Sequence, residues 1–381
     1  MLYNNIYYDD IGTLVQYSLF MSKNDIDEFH VIINLDFRSD SFLSQLERMK
    51  MAEQKLSLED DLKHTSVIFK RYFLSDAVNQ ISSVFDKAND EDCASVIQQP
   101  PLNGTKIGLW MYLVRNVKVE NKNNTTYFTH NKYSHFWNWA MQSSEGDSYS
   151  QTQTLLDNYS ALLDMNGMNM KDNCIRTWFY VRDVDIQYLP MVVARREFFE
   201  KQGMTKDSHF IASTGICGVS DLPKAIIQMG AYSVKGLTQG QQTYIKALSN
   251  LNPTHEYGVT FERGTVVHYG DRNHIFISGT ASINNKGEVV FVNDVVKQTY
   301  RMWDNVRALL DEANSSFDDI MQIVVYLRDT ADYSIVKNMF DEKFPDVPRI
   351  ITLAPVCRPN WLIEMECMAI KKSSNPEFDD F

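Results

Sequence analysis

Trp361-Leu362-Ile363-Glu364-Met365-Glu366, preceded by Pro348-Arg349 and by Cys357-Arg358-Pro359, closes a compact α/β module that begins near His274. In an extended strand, successive side chains point to opposite faces. Ile363, Met365 and Cys367 then pack on one face, while Glu364 and Glu366 point to the other. A carboxylate on that far face, with two arginines a few residues upstream, can grip and protonate an anionic ligand.

Outward from this module, the same texture recurs. Thr65 to Asp76, Cys174 to Asp183 and Ile323 to Asp329 are each a β-branched and aromatic run ending in Asp, as a strand running into a helix cap would be. A helical stretch follows each (Ala77 to Lys87, Gln187 to Lys201, Asp332 to Lys343), then a short loop and a final apolar strand (Lys106 to Val114, Ala225 to Val234, Trp361 to Ile370). A helix also precedes each, at Ser41 to Lys55, Gln151 to Met165 and Gln298 to Asn314. Opening strands are expected at His30 to Phe37, Tyr133 to Met141 and Ile275 to Ile283. Each unit reads β(β)αβαββ, which predicts an α/β (α+β) fold of mixed sheets with both helices on one face. Polar, turn-rich stretches near Asn121 and Asn250 divide the chain into units at 1–120, 121–250 and 251–372, with a flexible tail at 373–381.

Composition narrows the function. The 381 residues suit two or three cores, and 44% hydrophobic residues with 12% aromatics rule out global disorder. A formal net charge of -12 argues against a nucleic-acid binder, which needs a basic face. The five cysteines are scattered without a CxxC pair, so they read as reduced thiols. The start lacks the basic residues and apolar run of a signal peptide, and no run approaches the roughly 20 apolar residues of a membrane span. A cytoplasmic protein, monomeric or weakly oligomeric, is expected. The eight histidines show no HxH or HxxxH spacing, and no GxGxxG or Walker loop is present, so neither a metal nor any other cofactor is expected.

With these residues in view, the third unit resembles the Rid (YjgF) superfamily. Ser278-Gly279, Gln298-Thr299 with Asn305, Pro348-Arg349 and Ile363-Glu364-Met365-Glu366 are similar to its motifs, including the fifteen-residue step from Arg349 to Glu364. Rid proteins are homotrimers with ligand sites in the clefts between protomers, so three units in one chain imply a covalent pseudo-trimer. From about 174 to 370 the chain looks like the chorismatases, through Arg176-Thr-Trp-Phe-Tyr180, Ala194-Arg195-Arg196-Glu197-Phe198-Phe199, Ala212-Ser-Thr214-Gly-Ile216, Glu256-Tyr257-Gly258, Ser278-Gly-Thr-Ala-Ser-Ile283 and Cys357-Arg358-Pro359. That resemblance implies cleavage of the enolpyruvyl ether of chorismate, giving pyruvate and either a hydroxybenzoate or a dihydroxy-cyclohexadiene acid. Of the three units, only the third has arginine at the Rid position. Counting back fifteen residues from Gln228 reaches Ser213 in unit two, and Gly108 in unit one has no arginine upstream in its short loop, so one functional site per chain is expected.

Ether cleavage needs a proton donor, cations for two carboxylates and a water-poor pocket. Glu364 is the expected acid, its proton affinity raised by burial. Arg349 and Arg263 are the expected carboxylate anchors, and Arg176 with Tyr180 the opposite wall. Backbone amides at Gly279, Thr280 and Ala281 can meet a ligand carboxylate, and the resemblance adds Thr214 and Tyr257 as substrate-binding residues. Cys357 resembles the cysteine of the hydroxybenzoate-forming chorismatases and favours 3-hydroxybenzoate. The alternatives are Rid-type enamine or imine hydrolysis using Arg349, and a non-catalytic protein binding a small acid. Phe261 stands where Rid proteins usually carry tyrosine, which weighs against the first alternative.

Overall fold

The computed structural model describes residues 1–85, 93–122 and 124–381, with the side chain of Tyr257 outside that set. Unit one runs β1 (Leu2–Tyr8), β2 (Thr13–Phe20), β3 (Glu28–Leu35), α1 (Phe42–Leu56), β4 (Thr65–Leu74), α2 (Ala77–Val84), β5 (Ala94–Gln98) and β6 (Ile107–Arg115). Unit two runs β7 (Val119–Lys122), β8 (Thr125–His130), β9 (Tyr133–Gln142), α3 (Ser148–Met165), α4 (Met170–Asn173), β10 (Cys174–Val181), α5 (Val184–Lys201), β11 (Ala212–Cys217) and β12 (Ile227–Lys235). Unit three runs β13 (Gln242–Ile245), β14 (Gly264–His268), β15 (Arg272–Ala281), α6 (Val295–Glu312), β16 (Ile320–Leu327), α7 (Tyr333–Lys343), β17 (Arg349–Leu353) and β18 (Ile363–Lys372).

Each unit forms a six-stranded mixed sheet with one topology: β1-β2-β3-β6-β4-β5, β7-β8-β9-β12-β10-β11 and β13-β14-β15-β18-β16-β17. The fold is the expected intramolecular pseudo-trimer of tandem βαβαββ units. Alternation builds it. On β6, Leu109, Met111 and Leu113 pack toward the helices of unit one, while Trp110, Tyr112 and Val114 enter a core shared by all three units. The shared core also takes Trp137, Trp178 and Tyr232 from unit two and Phe276 and Tyr326 from unit three. The three sheets therefore turn one face inward and carry helices on the other. Among the described residues no helix is long and apolar enough to cross a membrane.

Three local expectations are corrected. The loop expected after each second helix contains a strand, since β5, β11 and β17 pair in parallel with β4, β10 and β16. These strands have five or six residues, too few for a clear alternation. Asp76 caps α2 through the Asn79 N–H, but Asp183 sits at φ +49° and caps nothing with its side chain; the last turn expected for α2, to Lys87, lies outside the described residues. The tail expected to be flexible is tied down. Asn375 Nδ2 donates to the Tyr269 carbonyl (2.6 Å) and the Phe381 N–H to Asp271 Oδ1 (3.0 Å), and the buried Phe381 ring lies 4.6 Å from that of His274. One terminal aromatic supplies the anchor that a polar composition hides.

Units one and three are joined by a buried charge cluster. Glu28 accepts from Arg272 Nη1 (2.6 Å) and Tyr112 Oη (2.6 Å) and pairs with His274 Nε2 (2.8 Å). Burial alone would raise the Glu28 carboxyl, but His274 and Arg272 hold it well below the usual carboxylate range. Removing one member leaves a buried charge uncompensated. Arg272→Leu is expected to lower stability by about 3–5 kcal/mol in urea unfolding, and Glu28→Gln added to it is expected to recover part of the loss.

Candidate active site

Glu364 lies near the start of β18, opposite Ala281 of β15 and Tyr326 of β16, and is 4% exposed. It faces a cleft between units two and three. Ala281, Cys357 and Trp361 of unit three form one wall, and Tyr188, Arg195 and Ser213 of unit two the other. Phe261 and Arg263, on the segment leading into β14, close a third side.

The Ser278-Gly279 motif shapes the wall. The β15–β18 register shifts between Ile277 and Thr280, so the two residues form a bulge. A Cβ on Gly279 would stand 2.1 Å from Glu364 Oε1, so only glycine lets the carboxyl lie against the strand. Ser278 Oγ donates to the Glu262 carbonyl (2.6 Å) and accepts from the Ser213 N–H (2.9 Å). Thr214 Oγ1 accepts from the Gly279 N–H (2.8 Å). The bulge is thereby stitched to β11 of the neighbouring unit.

Burial first, and Glu366 second, push the Glu364 carboxyl up to about 8, against the opposing pull of Arg176 and Arg263. A neutral, buried carboxylic acid at the wall of a cleft is poised to give up a proton. Cys357 lines the same cleft, and burial, then Glu364, push its thiol up to about 12, so it is neutral rather than a thiolate.

Several expected residues take other places. Arg349 does not share the cleft. It is tied to the Phe344 carbonyl (2.6 Å) and to Asp341, and lines a separate cleft with Asn34 and Phe37 of unit one. Arg349 pairs with Ile323 on β16 and Glu364 pairs with Tyr326, three residues on, so the two fall on opposite sheet faces. Arg176 is buried behind the wall. It pairs with Glu366 (2.8 Å) and hydrogen-bonds Ser278 (3.3 Å) and Thr214. Thr214 is likewise occupied, between Arg176, Glu366 and Gly279. Tyr180 is 1% exposed in the shared core, its ring 5.1 Å from the Arg71 guanidinium. Thr280 donates to the Ser278 carbonyl and is buried, and the Gly279 N–H is already taken. Ala281 and Gly279 line the cleft, as does Arg263, which donates to the Asn252 carbonyl (3.1 Å). Tyr257 ends the 3-10 turn Thr254–Tyr257, and its side chain lies outside the described residues.

Arg195 is the residue that sequence reasoning left without a role. It lies on α5, 1% exposed, with its guanidinium 5.5 Å from the Phe179 ring and Nη1 3.3 Å from Ser213 Oγ. Ser213 pairs with Thr177 on β10, the register position that Arg349 holds against Ile323. The cation absent at Ser213 is thus supplied from the adjacent helix. A buried position within Ala194-Arg195-Arg196 on an otherwise apolar helix face was the available signal. Among the described residues no group of three or more His, Cys, Asp or Glu side chains could hold a metal ion.

Comparison with known proteins agrees with this architecture. The family model described as Endoribonuclease L-PSP matches residues 264–371. A RutC family protein of Pyrococcus abyssi is 31% identical over 102 residues, 26% of this chain and 80% of that protein. The 3-aminoacrylate deaminase RutC of Acinetobacter baylyi is 28% identical over 99 residues, 26% of this chain and 79% of that protein. A crystallised chorismatase superposes with a TM-score of 0.62 at 18% identity, covering 82% of this chain and 96% of that one, and shares its fold over that part. Through its third unit this chain belongs to the RutC family, the Rid (YjgF) superfamily.

Proposed function

We propose that the chain is a chorismatase-type enzyme that uses Glu364 as the acid to cleave the enolpyruvyl ether of chorismate. The observation that carries this reading is a carboxyl that keeps its proton to about pH 8 beside two buried arginines, Arg195 and Arg263, at one cleft. Chorismate has two carboxylates, and the arginines offer planar forks for them. Glu364 donates its proton to the enol methylene, leaving an oxocarbenium-like carbon. Water adds there, returning a proton to the Glu364 carboxylate. Collapse of the adduct gives pyruvate and a ring hydroxyl. Loss of water from the ring, or internal trapping before water enters, leads instead to a hydroxybenzoate. Cys357, neutral and apolar, suits a wall that limits water, which supports 3-hydroxybenzoate.

Incubation with chorismate, read by pyruvate release and chromatography of the ring product, tests the proposal. Pyruvate with 3-hydroxybenzoate is the expected result, and pyruvate at the spontaneous rate would overturn the reading. Glu364→Gln is expected to lower kcat by about 100-fold or more while chorismate still binds.

The proton affinity of Glu364 gives a second check. The acid form is present below about pH 8 and lost above it, so kcat/KM is expected to fall as pH rises through about 8. The folded state also holds this proton between the usual 4.5 and about 8, where the unfolded chain has released it. Stability attributable to Glu364 therefore declines across that window, and Glu364→Gln is expected to flatten the decline in melts at successive pH values.

The arginines separate this reading from imine hydrolysis. Arg195→Ala and Arg263→Ala are each expected to lower kcat/KM about 10- to 100-fold, while Arg349→Gln leaves it unchanged. Imine hydrolysis abolished by Arg349→Gln, with no action on chorismate, would favour the Rid-type alternative.

A further inference from the structure

Arg71 of β4 is 1% exposed in the core shared by the three units. Its guanidinium carbon lies 4.9 Å from the Phe69 ring centroid and 5.1 Å from those of Trp110, Trp178 and Tyr180. Nε and Nη1 have no hydrogen-bond acceptor among the described residues, and arginine can only donate. Other orphaned donors surround the same cage. Trp137 Nε1 has no partner, and its ring lies 5.6 Å from Phe69 and 6.2 Å from Trp178. The hydroxyls of Tyr180 and Tyr326 have none either, and Tyr326 lies within electrostatic reach of both Arg71 and Tyr180.

The charges here do not balance. The same indole, Trp178, meets a second guanidinium, that of Arg176, at 4.9 Å. Glu366 is the carboxylate of the cluster, and its oxygens are already used by Arg176 (2.8 Å), Trp178 Nε1 (2.9 Å) and Thr214. Two cations and one anion leave an excess positive charge far from solvent. Ring faces offset part of that cost, and as weak acceptors they carry no negative charge to match the guanidinium. A water molecule would satisfy a donor and leave the charge. Four ring centroids lie 4.9 to 5.1 Å from the guanidinium carbon, so a ligand at its unpaired N–H groups has to be small, and a monatomic ion is the smallest choice.

We infer that the Arg71 cage is a binding site for a small monovalent anion, a halide such as chloride, at the junction of the three units. The site is separate from the Glu364 cleft, whose lining does not include Arg71. It holds the units together by compensating a charge that no side chain of the cluster compensates.

Diffraction from crystals of the full chain grown in bromide tests the assignment. An anomalous peak in contact with the Arg71 guanidinium is expected, and water there without anomalous signal would overturn it. In solution, chloride is expected to raise Tm over gluconate at equal ionic strength by about 2 °C or more. That difference is expected to vanish in Arg71→Met, and an unchanged difference would also overturn the inference. Should Arg71→Met fail to fold, the bromide experiment on the unaltered protein decides alone. Neither readout depends on the reaction at Glu364.

Discussion

A single ion pair, Arg176 with Glu366, ties the assembly of units two and three to the wall of the candidate site. It joins β10 of unit two to β18 of unit three at 2.8 Å, with both side chains almost fully buried. Such a pair is tolerable only when its remaining donors and acceptors are met. Trp178 and Thr214 complete the carboxylate, and Ser278 and Thr214 take guanidinium protons. Thr214 in turn holds the Gly279 N–H, which sets the bulge on which Glu364 lies. The same two charges act on Glu364 through space: Glu366 raises its proton affinity and Arg176 lowers it. One network fixes where the acid lies and how tightly it keeps its proton.

Threefold topology does not give threefold chemistry. Arg349 occupies its register position in unit three, yet its cleft opens toward unit one, where Gly108 stands at the position of Glu364 and Ile350 fills the space a side chain would need. That cleft has a cation and no acid on its strand. The cleft between units two and three has the acid, and Ser213 at the arginine position. Arg195 reaches in from α5 to restore the positive charge. A covalent trimer can divide these roles because each cleft draws on two different units, so each can change without the others.

Much of this was legible in residue order. The alternation in Ile363 to Cys367 correctly separated Glu364 from the apolar face, and the strand and helix texture located the main elements of every unit. What failed was adjacency across strands. Fifteen residues between Arg349 and Glu364 suggested one site, but the count hides a parity: their partners on β16 are three apart, so the faces differ. Arg176, Trp178 and Tyr180 do share a face, and that face is the inter-unit core rather than the cleft. Arg195 was named within a motif but given no role, because its place beside Ser213 depends on the packing of α5 over β11. Residue type and spacing name candidates; register decides which of them meet.

The balance of charges at the cleft bears on why the acid should be neutral at all. The chain is acidic overall, with a net charge of -12, yet the cleft gathers Arg195, Arg263 and Arg358 around one carboxyl. If Glu364 were ionised it would neutralise part of that field and compete with an anionic ligand for the same arginines. Kept protonated, it does not add a negative charge to compete with the ligand. An arriving dianion would then raise the proton affinity of Glu364 further, by the same like-charge effect that Glu366 already exerts. The acid form is therefore kept as the ligand binds, and its proton passes to a weakly basic carbon, such as an enol ether methylene, only when that carbon is positioned against the carboxyl for general-acid transfer. Burial, Glu366 and the glycine beneath the carboxyl act together to that end, and substituting any one of them alters the timing of the proton as well as its position.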